Sequence, residues 1–146
     1  MYNISIKKIL VPTDLSESAE YALAYAKELA AKFNAKLYVL YCITDLQSAI
    51  GYVPGLSLDQ ITSSMTEEAE KQIEHLRNKH KLNENVEMSI KSGDAAKKIV
   101  EFTDENNIDL IVMGAHGKSG VERFMFGSVT EKVLRLSKKP VLAVKK

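Results

Sequence analysis

The sequence predicts an open, doubly wound α/β fold, a parallel sheet covered on both faces by helices. Three observations predict it. Short apolar runs alternate with longer stretches whose apolar residues recur at helical spacing. Helix-start and helix-stop residues punctuate the boundaries between them. A frame of small residues, Gly114-Ala115-His116-Gly117 and then, after nine residues, Gly127-Ser128, follows directly on the fourth apolar run, where such a fold places its ligand loops.

Strand one is read at Lys8 to Val11 and runs into Pro12-Thr13-Asp14-Leu15-Ser16. Helix one starts near Ser16, an N-cap type, with Glu17 and Glu20 in the first turn where acids suit the helix dipole. Its apolar stripe is Ala19, Ala22, Leu23, Ala26, Leu29, Ala30 and Phe33, and the small alanines permit close packing on a sheet. Strand two covers Ala35 to Ile43. The connection from Asp45 to Leu58 combines Gly51, Pro54 and Gly55 with Ile50, Tyr52, Val53 and Leu56, too apolar for a solvated linker. It reads either as a flap over a ligand or as a loop folded onto helix two or a partner subunit.

Helix two runs from Leu58 to His80, with Ile61, Met65, Ala69, Ile73 and Leu76 inward and Glu67, Glu68, Glu70 and Lys71 on a solvated face. Strand three spans Val86 to Ile90. Helix three takes Asp94 as N-cap and buries Ala95, Ile99, Val100 and Phe102. Strand four covers Ile108 to Met113. The last helix opens at Gly127-Ser128 and buries Val129, Val133, Leu134 and Leu136 before Pro140 blocks its continuation. Strand five, Val141 to Val144, is short and apolar and suits a sheet edge. Lys138, Lys139, Lys145 and Lys146 guard that edge against aggregation without forbidding a specific two-fold pairing.

The 146 residues suit one domain, 1–146, long enough to bury about two-thirds of the surface of the unfolded chain. Twenty basic residues against nineteen acidic give a net charge of +1. No global field then attracts nucleic acid or an anionic membrane, and any anion must be bound locally. The apolar runs fall short of the roughly twenty residues that cross a bilayer, and no signal-peptide pattern opens the chain, so a cytoplasmic protein is expected. Cys42 is the single cysteine, which excludes an intrachain disulfide; in an apolar strand it reads as a buried structural thiol rather than a nucleophile.

The glycine and serine frame reads as a phosphate cradle. Gly114 and Gly117 are expected to take positive φ and let backbone approach an anion, while unsatisfied N–H groups at the helix start and the Ser128 hydroxyl bind it. The frame is not a Walker A loop: Gly117-Lys118-Ser119 imitates the end of that motif, but Val112 stands where its first glycine is needed. Nor does a glycine turn follow strand one, which disfavours NAD. If strands one and four are neighbours, Pro12-Thr13-Asp14 and Gly114 to Gly117 line one crevice, with Tyr41, Cys42 and Ile43 as a side wall for a flat base. Asp14 reads as a partner for Mg²⁺ or ribose, or as a residue that helps cap helix one. His116, Lys118 and Arg123 lie within reach of phosphates, yet no residue pattern identifies a base that would orient water. His75 and His80 are five apart, not on one helix face, and no Ser-His-Asp or Cys-His arrangement is evident, so no catalytic residue is assigned.

Ile9-Leu10-Val11-Pro12-Thr13-Asp14-Leu15-Ser16, Val112-Met113-Gly114-Ala115-His116-Gly117 and Gly127-Ser128-Val129-Thr130-Glu131 together resemble the universal stress protein family in its ATP-binding branch. That branch is marked by G-x2-G-x9-G-[ST], which Gly114, Gly117, Gly127 and Ser128 satisfy. The resemblance implies a five-stranded parallel sheet in the order 3-2-1-4-5, ATP at the switch point, and a homodimer through the last strand. It implies that Pro12, Thr13 and Asp14 lie near the adenosine and metal, and that Cys42 contacts adenine. Met113, Gly114, His116 and Gly117, with Gly127, Ser128 and Val129, would hold ribose and phosphates. Ala115 departs from the serine or threonine frequent at its position. The function implied is an ATP-dependent stress or signalling switch with hydrolysis absent or slow. The alternatives are a slow Mg²⁺-dependent ATPase and a protein-interaction module without nucleotide. A phospho-acceptor receiver domain would need an acidic cluster after strand one, where Asp14 stands alone.

Overall fold

The computed structural model describes residues 1–43, 54–55, 57–116 and 126–146. Most of the flap segment, and Gly117, Lys118 and Arg123 of the glycine loop, lie outside them. The elements are β1 (Lys8–Thr13), α1 (Glu17–Phe33), β2 (Lys36–Ile43), α2 (Leu58–Lys79), β3 (Glu87–Ser92), α3 (Ala95–Glu105), β4 (Leu110–Gly114), α4 (Ser128–Leu136) and β5 (Val141–Val144). The five strands form one sheet in the order β3-β2-β1-β4-β5, and every pair is parallel. The chain winds outward from β1 to β3, then returns to place β4 on the other side of β1. The switch point lies between β1 and β4.

Burial on both faces explains the unbroken apolar character of the central strands. Ile9, Val11, Leu37, Val39 and Val112 pack towards α1 and α2, whereas Leu10, Tyr38, Leu40, Ile111 and Met113 pack towards α3 and α4. Ile9, Leu10 and Val11 are each 0% exposed, which places β1 at the centre of the fold. On α1 the alanines at 19, 22, 26 and 30 are buried as their spacing predicts, but Phe33 is exposed. In its last turn the helix has outrun the sheet, and the chain turns back through Asn34, in the left-handed region at φ 53°, directly into β2.

Two further burial expectations need correction. α4 buries one line, Thr130 and Val133, whereas Leu134 and Leu136 are exposed. At 100° per residue Leu134 and Leu136 project to either side of Val133, and nine residues offer the sheet a single stripe. In α3 the buried line is Ala96, Ile99, Phe102 and Thr103, while Ala95 and Val100 are half-buried beside it.

Helix starts follow their capping residues. Ser16 Oγ accepts the Ala19 N–H at 3.2 Å, and Ser57 Oγ accepts the Gln60 N–H at 3.4 Å. Asp94 occupies the N-cap position of α3, but its side chain makes no capping hydrogen bond. Between α1 and α2, Glu20 receives Lys79 Nζ at 3.0 Å on both carboxylate oxygens and lies 3.4 Å from His80 Nε2. Burial alone would raise the Glu20 pKa, but the hydrogen bonds and charges of Lys79 and His80 overcome it and hold the carboxyl below its usual value.

These contacts give two expectations. Ser16→Ala should cost about 1 kcal/mol in urea unfolding, whereas Asp94→Ala should cost only the few tenths of a kcal/mol of a charge near a helix start. A depressed carboxylate pKa stabilises the fold above the unfolded value of 4.5 and loses that contribution as pH falls through the folded value. Glu20→Gln should therefore be less stable than the parent at pH 7, and the gap should close in acid. A gap independent of pH would show that the carboxylate charge contributes nothing.

Candidate ligand crevice

Parallel strands all end on the same edge of the sheet, so the helices that follow them all begin there. At the switch point this brings together the turn after β1, the end of β4 and the first turns of α1, α3 and α4. The turn after β1 is set by its own side chains. Thr13 Oγ1 accepts the Leu15 N–H at 3.0 Å, and Asp14 Oδ1 accepts the Ser16 N–H at 2.9 Å. Leu15 between them takes φ 65°, a left-handed conformation that costs a leucine about 1–2 kcal/mol and persists because these bonds enforce it. Asp14 therefore has the structural role that its sequence position allowed, and it also reaches the crevice.

At the end of β4, Gly114 does not take the positive φ expected of it. Its lack of a side chain serves a close approach instead. A Cβ here would lie 2.9 Å from both the carbonyl carbon and the oxygen of Ser18, which seats the strand end directly on the first turn of α1. Ser18 Oγ also accepts the His116 N–H at 3.4 Å. Thr130 Oγ1 donates to the Gly114 carbonyl at 2.8 Å, Gly127 N–H to Ala115 at 2.8 Å, and Ala115 N–H to Val144 at 3.0 Å. The two ends of the glycine loop are thus tied together at its base. Gly127, at φ −60° and ψ 159°, is the N-cap of α4 and brings no side chain to satisfy the helix N–H groups.

A cavity of about 250 Å³ lies within this frame. Pro12, Thr13 and Asp14 line it from β1, Cys42 from β2, Met113, Gly114 and His116 from β4, and Gly127, Ser128 and Val129 from α4. Within the described segments these ten expected residues border one space, but Tyr41 and Ile43, expected beside Cys42 as its side wall, do not: the two-residue period of β2 turns them to the opposite face of the sheet, towards α2. Gly117 falls outside the described segments. Ala19, Ala95, Ile99 and Thr130 also line the cavity and were not expected. Thr130 had a signal in hindsight: a threonine in the first turn after Gly127-Ser128, inward on the helix, whose hydroxyl must find a nearby carbonyl.

The cavity wall is chemically divided. Pro12, Met113, Ile99, Val129 and Cys42 present apolar surface suited to a flat ring, while Ala95 and Ser128, the first residues of α3 and α4, bring two helix N-termini to the wall. Cys42 is half-buried, not buried as expected, because β2 ends here and the helices no longer cover it. Burial still dominates its chemistry: desolvation pushes the thiol up to about 11, against a smaller lowering by Lys98, with Asp94 adding to the rise.

Fold and crevice define an open, doubly wound α/β domain with a ligand-sized cleft at its switch point. The chain belongs to the universal stress protein family, whose model matches residues 5–145. It is 36% identical over 144 residues to universal stress protein MJ0531 of Methanocaldococcus jannaschii, covering 96% of this chain and 82% of that protein. It is 33% identical to universal stress protein MJ0577 of the same organism, covering 99% of this chain and 98% of the other. The solved structure of MJ0577 superimposes with a TM-score of 0.82 over 98% of both chains. A universal stress protein solved in complex with cAMP superimposes with a TM-score of 0.62 at 26% identity, over 96% of this chain and 97% of that one.

Gly114→Ala should destabilise the protein by about 1–3 kcal/mol in denaturant unfolding, the range for overpacking a tight contact. A substitution without penalty would mean that β4 and α1 separate easily. With its thiol held near 11, Cys42 should react with iodoacetamide at pH 8 roughly a hundredfold slower than free cysteine, because the thiolate fraction is that much smaller.

Proposed function

We propose that the crevice binds an adenine nucleotide, with ATP and Mg²⁺ as the leading ligand, and that its occupancy acts as a stress or signalling switch with hydrolysis absent or slow. The observation that carries this reading is the convergence of two helix N-termini, Gly127-Ser128 and the Gly114 strand end on one cavity whose other wall is apolar. The apolar wall suits a base, and the helix ends suit phosphates. The cavity volume of about 250 Å³ accommodates the base and ribose, with the phosphates extending across the start of α4. The relative solved with cAMP supports the adenine nucleotide class.

Asp14 fits a metal role of the kind in which Mg²⁺ keeps most of its waters and takes one carboxylate plus substrate phosphates. Such an ion would neutralise phosphate charge beside that carboxylate. Thr13 and the backbone after Met113 would position the nucleoside, Cys42 would border the base, and Gly117 would complete the phosphate loop. His116 and Ser128 are the side chains within the described residues best placed to hydrogen-bond phosphates. Slow Mg²⁺-dependent hydrolysis is the alternative chemistry. A phosphate-release rate lowered by Asp14→Ala would favour it, and an unchanged background rate would remove it.

The same reading includes a homodimer through Val141–Val144. β5 pairs with β4 on one side alone among the described strands, and Leu134, Leu136 and Leu142 are exposed on and near it. Sedimentation at micromolar concentration should give a dimer that Leu142→Glu dissociates. A monomeric parent would contradict this part of the proposal.

ATP titrated with Mg²⁺ into the nucleotide-free protein should bind saturably. Gly127→Val keeps backbone angles that valine tolerates and adds bulk at a residue lining the cavity, so it should weaken binding at least about tenfold while leaving the circular dichroism spectrum unchanged. No binding by the folded parent would leave the protein-interaction reading in place.

A further inference from the structure

β3 stands at the edge of the sheet opposite to β5. Among the described strands it pairs with β2 alone, and Glu87 and Lys91 are exposed along it while Met88, Ser89 and Ile90 are half-buried. Gly93 N–H donates to the Ile43 carbonyl at 3.0 Å, so the odd-numbered residues of β3 bond inward to β2, and the even-numbered Met88 and Ile90 direct their N–H and C=O groups outward. Arg77 Nη2 donates to the Val86 carbonyl at 3.0 Å, which ends the unpaired stretch on that side. A row of outward backbone groups is a template for another strand.

The side chains around Ser89 define which strand fits. Glu87 pairs in register with Tyr38 and shares the α3 face with Ser89 and Lys91, whereas Met88 packs on the α2 face and Ile90 shares it. On either side of Ser89 the residues complement one another: Met88 and Ile90 are both apolar, and Glu87 and Lys91 are of opposite charge. A second β3 laid antiparallel about a two-fold axis at Ser89 therefore meets the first in matching pairs. Met88 of one copy and Ile90 of the other exchange backbone hydrogen bonds and bring their side chains together on the α2 face. Glu87 of one copy stands opposite Lys91 of the other in a non-hydrogen-bonded pair, where side chains approach most closely. Glu87 holds Lys36 Nζ at 3.0 Å through Oε2, and a carboxylate has capacity for a second cation.

The charges also select the register. A slip of one residue sets outward backbone groups against inward ones, and a slip of two leaves neither charge opposite its complement. We propose that the β3 edge is a self-association surface whose occupant is a second copy of this chain, paired antiparallel about Ser89. Five residues make a small, transient interface, so it forms at high or locally raised protein concentration. The proposal stands independently of nucleotide binding and of pairing at β5. Where both edges pair, two-fold contacts on opposite sides of the sheet extend it from one dimer to the next.

The test compares sedimentation and amide chemical shifts of the Leu142→Glu variant at micromolar and at submillimolar concentration, and the shifts report β3 whatever the state of β5. Concentration should raise the mean mass, with shifts concentrated at Met88 to Ile90. Lys91→Glu sets Glu87 against a glutamate in both pairs and should abolish these changes. Adding Glu87→Lys to it restores the original net charge with the two ends exchanged, and should bring association back to within about twofold of the Leu142→Glu parent. Both residues are exposed, so the circular dichroism spectrum should be the same throughout. No shift at Met88 to Ile90 on concentration would assign the two charges to keeping the edge solvated and would overturn the pairing. A Lys91→Glu variant that associates like its parent, or a double variant that stays apart, would overturn it equally.

Discussion

The architecture depends on the contact between Gly114 and Ser18. It seats the end of β4 on the first turn of α1, at a distance that excludes even a methyl group. Two loops that are a hundred residues apart in sequence thereby face one another across the switch point. The turn after β1 supplies Thr13 and Asp14, and the loop after β4 supplies its backbone and His116. Thr130 then fastens α4 to the carbonyl of the same glycine. A single small residue thus positions three of the elements that form the crevice.

Electrostatics follow from the direction of the strands. Because all five run the same way, helix N-termini gather at one edge, and each carries roughly half a positive charge from its peptide dipoles. The chain has almost no net charge with which to attract an anion over long range, so the proposed binding of an anion at the crevice relies on this local field and the backbone N–H groups behind it.

Much of this was legible in the sequence because it rests on local rules. Alternating strand and helix patterns identified the nine elements of the described residues, and Ser16 marked the start of α1 by the same hydroxyl bond that the structure shows. The strand-end rule and the family resemblance brought Pro12 to Asp14, Met113, Gly114 and the start of α4 to one cavity, but the expected side wall was half wrong, because alternation along β2 leaves Cys42 there and turns Tyr41 and Ile43 away. What escaped depends on which neighbour a residue meets. Glycine at 114 suggested unusual torsion angles, and its actual reason, a helix packed against it, cannot be read from one chain segment. Phe33, Leu134 and Leu136 fit a helical stripe, but the sheet does not extend far enough, or the helix is too short, to cover them.

The central claim, that an adenine nucleotide occupies the β1–β4 switch point, is tested most directly by amide chemical shifts mapped while ATP and Mg²⁺ are added. The account predicts saturable perturbations concentrated at Thr13, Asp14, Met113 to His116, Ser128 and Val129, with the far end of the sheet around Lys36 and Val86 unmoved. Shifts that are absent, or that cluster away from the β1 and β4 strand ends, would contradict it.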